Sequence, residues 1–352
     1  MEISPYIDHN QNIIISAATE PQLQHLIQKQ RLSLGAGLQQ LIQKQRLSLG
    51  AGQYFFTQDG QLCNKVTGER YVFRVDFRDV AGTQCEVEAL CSLVTAHVHN
   101  LMETQLHMLR LPLPLPHPRG QGYVHSTPRA LQNKKALLVL LQDVGSVRSG
   151  VWSWRTVVRE GLNCGCQIPY VLAALQERWG VLIMNPNEEG STPEEHVHHV
   201  WQRYISQSAA EHVLVVAHGY GGLAFVDWLC RQPERGGAYE SHVTAVAFID
   251  SSHHVWHQGL GAEQQAWLRA HSRKWVLSSN PLNGRVGTLS AGMQLSAGTL
   301  CHGLAPAICM ESVFKFFTKA IKPKPEPVPF SIVTRSRHQA MRTSNHHNNY
   351  RK

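Results

Sequence analysis

Runs of consecutive apolar residues alternate with amphipathic stretches in the second half of the chain. The runs predict strands at residues 136–141, 181–184, 213–217, 243–249 and 275–277, and the periodicity between them predicts helices at 167–179, 193–211, 221–232 and about 261–272. Short apolar strands that alternate with helices are typical of a parallel sheet with helices on both faces. We therefore predict an α/β fold with a mostly parallel sheet, whose loops at the carboxyl ends of the strands form the site.

The helix predicted from residue 193 has a clear start signal. Thr192 is suited to the N-cap, Pro193 to the first helical position, and Glu195 completes a Thr-x-x-Glu capping box. Because such a box satisfies backbone N–H groups that a helix start leaves unpaired, the sequence predicts this boundary directly.

The pattern before residue 136 predicts a β-hairpin followed by a helix. Tyr54–Phe56 precedes an Asp-Gly turn signal, and Tyr71–Val75 is the predicted partner strand. Apolar residues at helical spacing predict a helix over 84–109. Proline occupies every second position over Leu111–Pro118, which excludes a central strand or a helix, and we interpret this stretch as an extended linker.

The chain divides into three predicted segments. Residues 26–37 recur letter for letter at 41–52, as in a recent tandem duplication, and we expect residues 1–52 to be poorly ordered. Residues 53–320 form the predicted α/β domain, and residues 321–352 a disordered basic tail.

The positive charge of the chain is concentrated at its end. The formal net charge is +8, and residues 319–352 carry eight Lys and Arg residues against Glu326 alone. Such a tail is suited to contact RNA, to act as a nuclear address or to remain solvated. The rest of the chain is nearly neutral, so the domain itself shows no basic face.

Composition favours a folded nuclear or cytoplasmic protein. Hydrophobic residues make up 43% of the chain and charged residues 16%, which is enough for a sizeable core. We expect no membrane span, since no apolar run is long enough, and no secretory signal. The eight cysteines include no CxxC pair. We expect them to be reduced, and we predict no metal and no cofactor, although Cys164-Gly165-Cys166 weakly suggests a metal.

The most informative motif lies at Val213–Gly222, which reads as a buried strand, a tight turn and a helix start. This is the layout of a nucleophile elbow, in which a serine normally occupies the turn. Here the turn residue is Gly219, which has no side-chain oxygen and cannot attack a carbonyl. No catalytic residue set is therefore predicted to be intact.

Two further positions follow the order of a Ser-Asp-His triad. Position 219 is followed by Asp250 and then by His302, so these three are the vestigial triad positions. The expected oxyanion loop also differs, since it reads Gln142-Asp143 and a carboxylate there would repel a developing negative charge. Asp250 also has an ordinary structural interpretation, because an aspartate at a strand end often caps the next helix.

Displaced nucleophiles are the catalytic alternative. Ser251 or Ser252 lies beside His253, but neighbouring loop residues rarely align for proton transfer. His218 and Tyr220 are weaker candidates.

A family resemblance rests on long collinear motifs between Gln53 and Lys319. The stretch resembles the argonaute-binding domain family. The resemblance is carried by Gly180 and by the segments 60–62, 67–69, 185–188, 193–196, 200–201, 217–218, 220–226, 243–247, 250–251, 255–258, 296–299 and 314–318. The resemblance implies an α/β-hydrolase-like fold. It also implies a role in small-RNA-linked heterochromatin formation, gene silencing and cotranscriptional regulation, with argonaute and chromatin proteins as partners and siRNA involved.

Departures from the family pattern concern the site. Family members have Ser at the position of Gly219 and His-Gly-Ser-Gly where this chain has Gln142–Gly145. With the duplicated block, these changes favour a non-catalytic protein and keep open a degenerate paralogue with no retained function.

Overall fold

The computed structural model describes residues 54–73, 76–114, 121–188, 190–232, 242–253, 258–289 and 292–322. The chain divides into a unit that ends at Ala320 and a second unit, Ile321–Lys352, of which only the first two residues are described. The predicted segment 1–52 and nearly all of the predicted tail therefore lie outside the described residues.

Among the described residues of the first unit, nine strands form one sheet. The strands are β3 (Leu109–Pro114), β4 (Gln121–Ser126), β5 (Ala136–Leu141), β6 (Gly180–Ile183), β7 (His212–His218), β8 (Val243–Ile249), β9 (Ser272–Val276), β10 (Arg285–Leu289) and β11 (Gly292–Ser296). Their order across the sheet is β10-β11-β9-β8-β7-β5-β6-β4-β3. The six strands from β11 to β6 run parallel, and β10, β4 and β3 add antiparallel pairings at the two edges.

Helices connect and flank these strands. They are α1 (Val80–Asn100), α2 (Trp154–Glu160), α3 (Leu162–Gly165), α4 (Ile168–Gln176), α5 (Pro193–Arg203), α6 (Tyr220–Cys230), α7 (Ala262–His271) and α8 (Ala305–Ala320). Strands β5 and β6 are buried along their whole length, as parallel strands covered on both faces must be. The strand-turn-helix unit at the sheet centre makes the fold α/β-hydrolase-like, as predicted.

The predicted central strands and the helix start at Thr192 are confirmed. The Thr192 hydroxyl accepts from the backbone N–H of Glu195 at 3.2 Å, and a Glu195 carboxylate oxygen accepts from the Thr192 N–H at 2.9 Å. The helix ends at Arg203, before the predicted residue 211, and a 3₁₀ turn over Ile205–Gln207 follows it.

The predicted hairpin is partly wrong. The partner of β1 (Tyr54–Phe56) is β2 (Leu62–Asn64), because Gly60, at φ 76°, closes a tight turn directly after β1. Residues 71–73 form no strand, and residues 74–75 lie outside the described part of the chain. The predicted helix 84–109 begins earlier, at Val80, and passes into a π-helical turn over Leu101–Gln105.

Residues 111–114 of the leucine-proline stretch belong to an edge strand where an extended linker was predicted, and residues 115–118 lie outside the described part of the chain. Leu109–Pro114 pairs with β4 alone, so its other side needs no backbone donors and tolerates proline. No helix in the described part of the chain is long and apolar enough to cross a membrane.

Candidate functional site

Gly219 forms the turn between β7 and α6 at the centre of the sheet. Its backbone angles are φ 56° and ψ −125°, in the positive-φ region that side chains strain to adopt. The strand, the strained turn and the helix start therefore reproduce the backbone of a nucleophile elbow, with glycine at its tip.

The Asp143 carboxylate fills the space beside this turn. A Cβ atom placed on residue 219 would lie 2.7 Å from Asp143 Oδ2, and closer still to Cγ and Oδ1. Asp143 follows β5, the neighbour of β7, so its side chain reaches the elbow from the adjacent strand end. The position that a nucleophile would occupy is thus taken by a carboxylate from another loop.

The same carboxylate binds the backbone donors that an oxyanion hole would use. The Tyr220 N–H, which follows the elbow residue, donates to Asp143 Oδ1 at 2.6 Å. The Val144 N–H donates to the same oxygen at 2.9 Å. The sequence predicted repulsion of an oxyanion by Asp143, and the geometry adds that these donors are already paired with it.

His302 lies between two carboxylates. Its Nδ1 is 2.6 Å from Asp250 Oδ2 and its Nε2 is 3.0 Å from Asp143 Oδ2, and all three side chains are 27% exposed. The structure thus brings the three predicted positions, 219, 250 and 302, together with Asp143 as a fourth member. Asp250 contacts His302 and adopts a φ of 42°, at the turn where β8 ends.

The contacts with Asp143 and Asp250 determine the protonation of His302. Burial by itself lowers the pKa of His302, but hydrogen bonds to Asp143 and Asp250 and the charges of both carboxylates outweigh it and raise the pKa to about 9. Burial of Asp143 raises its pKa, but the hydrogen bond to His302 and the nearby positive charges lower the pKa by more. The net shift of the Asp143 pKa is therefore downward. At neutral pH the pair is an imidazolium and a carboxylate, and a protonated imidazole cannot accept a proton as a general base.

His218 supports this arrangement from inside the sheet. Its ring stacks on that of His302 with centroids 4.1 Å apart, and its Nε2–H donates to the His302 carbonyl oxygen at 3.1 Å. Burial, followed by the charge of His302, lowers the pKa of His218 to about 3. The neutral, fully buried ring packs as a structural side chain and not as a nucleophile.

An Asn-Pro-Asn motif after β6 holds the loop that carries Asp143. The Asn187 side-chain amide donates to the backbone carbonyls of Asp143 and Val147 at 2.8 and 2.9 Å. Asn185 accepts from the Ser149 N–H at 2.9 Å. Their loop is one of the strand-end loops that the sequence predicts to form the site, but no role was predicted for these positioning residues.

Gln142 lies against the first turn of α6 through its backbone carbonyl, which faces Gly221. Its side chain is fully buried, and its Oε1 accepts from Gln167 Nε2 at 3.4 Å. Of the two predicted oxyanion-loop residues, only Asp143 has its side chain in the site.

Ser251 and His253 do contact each other, with 2.7 Å between Oγ and Nδ1. Such an alignment of neighbouring loop residues was expected to be rare. Both side chains are only 7% exposed, and Ser251 packs against the first turn of α6 at Gly222. The Ser252 N–H instead donates to the Gly219 carbonyl at 3.0 Å, and the Tyr220 hydroxyl to Glu194 at 2.6 Å.

Cys164 and Cys166, the weak metal candidates in the sequence, are buried cysteines that form no disulfide. Burial raises the pKa of Cys166 to about 12, so it is a thiol at neutral pH.

Comparison with known proteins identifies the family. The Arb2 domain pattern matches residues 48–190 and 188–282. The chain is similar to a protein of Gallus gallus named cotranscriptional regulator ARB2A homolog, with 32% identity over 81% of this chain and 83% of that protein. It is also similar to cotranscriptional regulator ARB2A of Homo sapiens, with 31% identity over the same shares.

Among solved structures, that of the histone deacetylase Clr3 aligns at 13% identity, over 72% of this chain and 47% of that one, with a TM-score of 0.46. The family match covers most of the chain and includes the strands that build the elbow. The protein belongs to the Arb2 domain family.

Proposed function

We propose that this protein is a non-catalytic Arb2-domain protein that regulates transcription-coupled events by binding other proteins. The observation that carries the proposal is Asp143, which lies where a side chain of residue 219 would be and pairs with His302. Acyl transfer needs a nucleophile, a base and free oxyanion donors. In this site, Gly219 stands in place of the nucleophile. Protonation prevents His302 from acting as the base, and the Asp143 carboxylate binds the N–H groups that would serve as oxyanion donors.

The regulatory part of the proposal is supported by relatives that are named as cotranscriptional regulators. We infer a nuclear role in small-RNA-linked heterochromatin formation and gene silencing, with an argonaute or a chromatin protein as the partner. A domain that has kept its core while its elbow is blocked is suited to present a rigid surface to such a partner.

Two measurements test this function together. Tagged full-length protein, purified from nuclear extract, should recover argonaute or heterochromatin proteins that are probed directly. The same protein should fail to react with a fluorophosphonate probe and to hydrolyse a broad panel of acyl esters. Failure to recover either partner class would refute the binding role, and probe labelling would refute the non-catalytic assignment.

The basic tail gives the partner proposal a second component. We propose that residues 321–352 contact RNA, which predicts binding that weakens steeply with salt. Deletion of the tail should abolish RNA binding and leave protein recovery intact. Equal RNA binding by the truncated protein would contradict a role for the tail.

The Ser251–His253 contact favours one second candidate, a hydrolase with a displaced nucleophile. Ester turnover that Ser251→Ala abolishes would support it. Absence of turnover in the unmodified protein would exclude it, and the burial of both side chains favours that outcome.

A further inference from the structure

A second cluster of chemically capable side chains lies away from the elbow. His99 is in the last turn of α1, Glu103 is in the π-helical turn Leu101–Gln105, and His125 is on β4. One ligand atom of each lies within 4.8 Å of the other two, and Glu103 Oε1 is 3.1 Å from His125 Nε2. π-Helical turns are uncommon and are found frequently at functional sites.

Both imidazoles are buried and held by one residue, Ser149. His99 Nε2 is 2.9 Å from the Ser149 carbonyl oxygen, which can only accept, so Nε2 carries the proton and the lone pair is on Nδ1. His125 Nδ1 is 2.8 Å from Ser149 Oγ, while its Nε2 faces Glu103. A second ring nitrogen fixed by a backbone carbonyl or hydroxyl is the usual support of metal-binding histidines.

The cluster already attracts a cation from the protein itself. Arg110 Nε donates to Glu103 Oε1 at 2.6 Å, and Arg110 Nη2 is 3.4 Å from His99 Nδ1. The guanidinium also lies over the Tyr123 ring, 4.8 Å from its centroid. The Arg110 side chain is 47% exposed and that of Glu103 34%, so both can move toward solvent without opening the core.

We propose that His99, Glu103 and His125 bind a divalent transition metal ion of the zinc class, and that the Arg110 guanidinium competes with this ion for the same ligands. Two imidazole nitrogens and one carboxylate oxygen are donors that suit Zn²⁺ and leave a coordination position for water. Tetrahedral coordination requires ligand atoms roughly 3.3 Å apart, so the ligand atoms must approach one another by up to about 1.5 Å. The partly exposed Glu103 can adjust its own distances to the two histidines. This inference is independent of the proposed function, because no elbow residue takes part.

The test uses full-length protein treated with EDTA and then titrated with ZnCl₂ by calorimetry, with Co²⁺ absorption as a second readout. The unmodified protein should bind Zn²⁺ saturably, with one ion per chain. Glu103→Gln should weaken binding at least about tenfold. Arg110→Ala should strengthen it several-fold, because the competing positive charge is gone.

A matched control addresses the adjacent histidine pair of the tail, His346 and His347. His346→Ala/His347→Ala should leave the affinity unchanged. Equal binding by the Glu103→Gln variant, weaker binding by Arg110→Ala, loss of binding in the tail variant alone, or no binding by the unmodified protein would each overturn the proposal. Because Glu103 and Arg110 are partly exposed, neither substitution empties the core, and the circular dichroism of both variants should match the unmodified protein.

Discussion

The carboxylate of Asp143 lies against Gly219, in the space where a side chain of residue 219 would begin. One aspartate therefore fills the nucleophile position, binds the Tyr220 N–H and pairs with His302. The change at residue 219 and the change at residue 143 are parts of one arrangement, since the glycine makes the room that the carboxylate occupies.

Restoring serine alone should damage the fold without restoring chemistry. Gly219→Ser places a side chain at positive φ and against Asp143, and should lower the free energy of unfolding by about 1–3 kcal/mol. Chemical denaturation measures this loss, and fluorophosphonate labelling should stay absent.

Gly68→Ser is the matched control for Gly219→Ser, because Gly68 has a φ of 71° with no atom within 4 Å of an added Cβ. It should show the backbone strain without the collision. Equal destabilisation by the two variants would mean that Asp143 imposes no steric block.

Removing the Asp143 carboxylate and replacing Gly219 by serine together should make the elbow accessible to a substrate-like probe. The double variant Asp143→Gly/Gly219→Ser leaves the Tyr220 N–H without its carboxylate acceptor and supplies a hydroxyl at residue 219. Of the two carboxylates, only Asp250 then contacts His302. We expect fluorophosphonate labelling in the double variant and in neither single variant, measured by mass spectrometry of residue 219. Labelling of Gly219→Ser alone would show that Asp143 does not close the site.

Stability should fall with rising pH because of His302. Its pKa is raised to about 9 on folding from 6.5, so the contribution is complete below pH 6.5 and is lost as pH rises through 9. The loss for the unmodified protein should be on the order of 3 kcal/mol across that window. Urea denaturation at several pH values measures it.

Asp143→Asn is the comparison for this pH dependence, since it keeps the shape and removes one carboxylate. It should flatten the slope between pH 6.5 and 9. An unchanged slope would assign the pH dependence to other groups. The lowered pKa of Asp143 affects stability only at acidic pH, where stability is lost as the pH falls through the pKa of the folded state. It therefore makes no contribution to the slope between pH 6.5 and 9.

The capping box at the start of α5 gives a prediction about stability alone. Thr192→Ala removes the hydroxyl that accepts from the Glu195 N–H and should cost about 1 kcal/mol. Glu195→Gln keeps an acceptor for the Thr192 N–H and should cost less. Thermal unfolding measures both losses, and an unchanged stability of Thr192→Ala would contradict a role for the hydroxyl.

Much of the sheet could be predicted because its strands carry their own signal. Strand β5 is apolar and buried at every position, and Thr192 marks its helix by local chemistry. Strand β3 could not be predicted from its prolines, because only its edge position, set by the pairing with β4, makes them tolerable.

The sequence predicted which residues belong to the site, but it did not predict the contacts that Asp143 makes there. Asp250 and His302 follow from chain order, and their hydrogen bond spans 52 residues. The contact of Asp143 with Tyr220 spans 77 residues and depends on β5 and β7 being neighbours in the sheet. No local pattern states which strand ends meet, so the sequence indicated an altered oxyanion loop and not a filled elbow.

The most direct test of this account is the titration of His302 by NMR in the folded protein. The imidazole signals, assigned by comparison with His302→Gln, should report a pKa of about 9, which falls in Asp143→Asn. A value at or below 6.5, or one that Asp143→Asn leaves unchanged, would contradict the claim that Asp143 holds His302 protonated and the site closed.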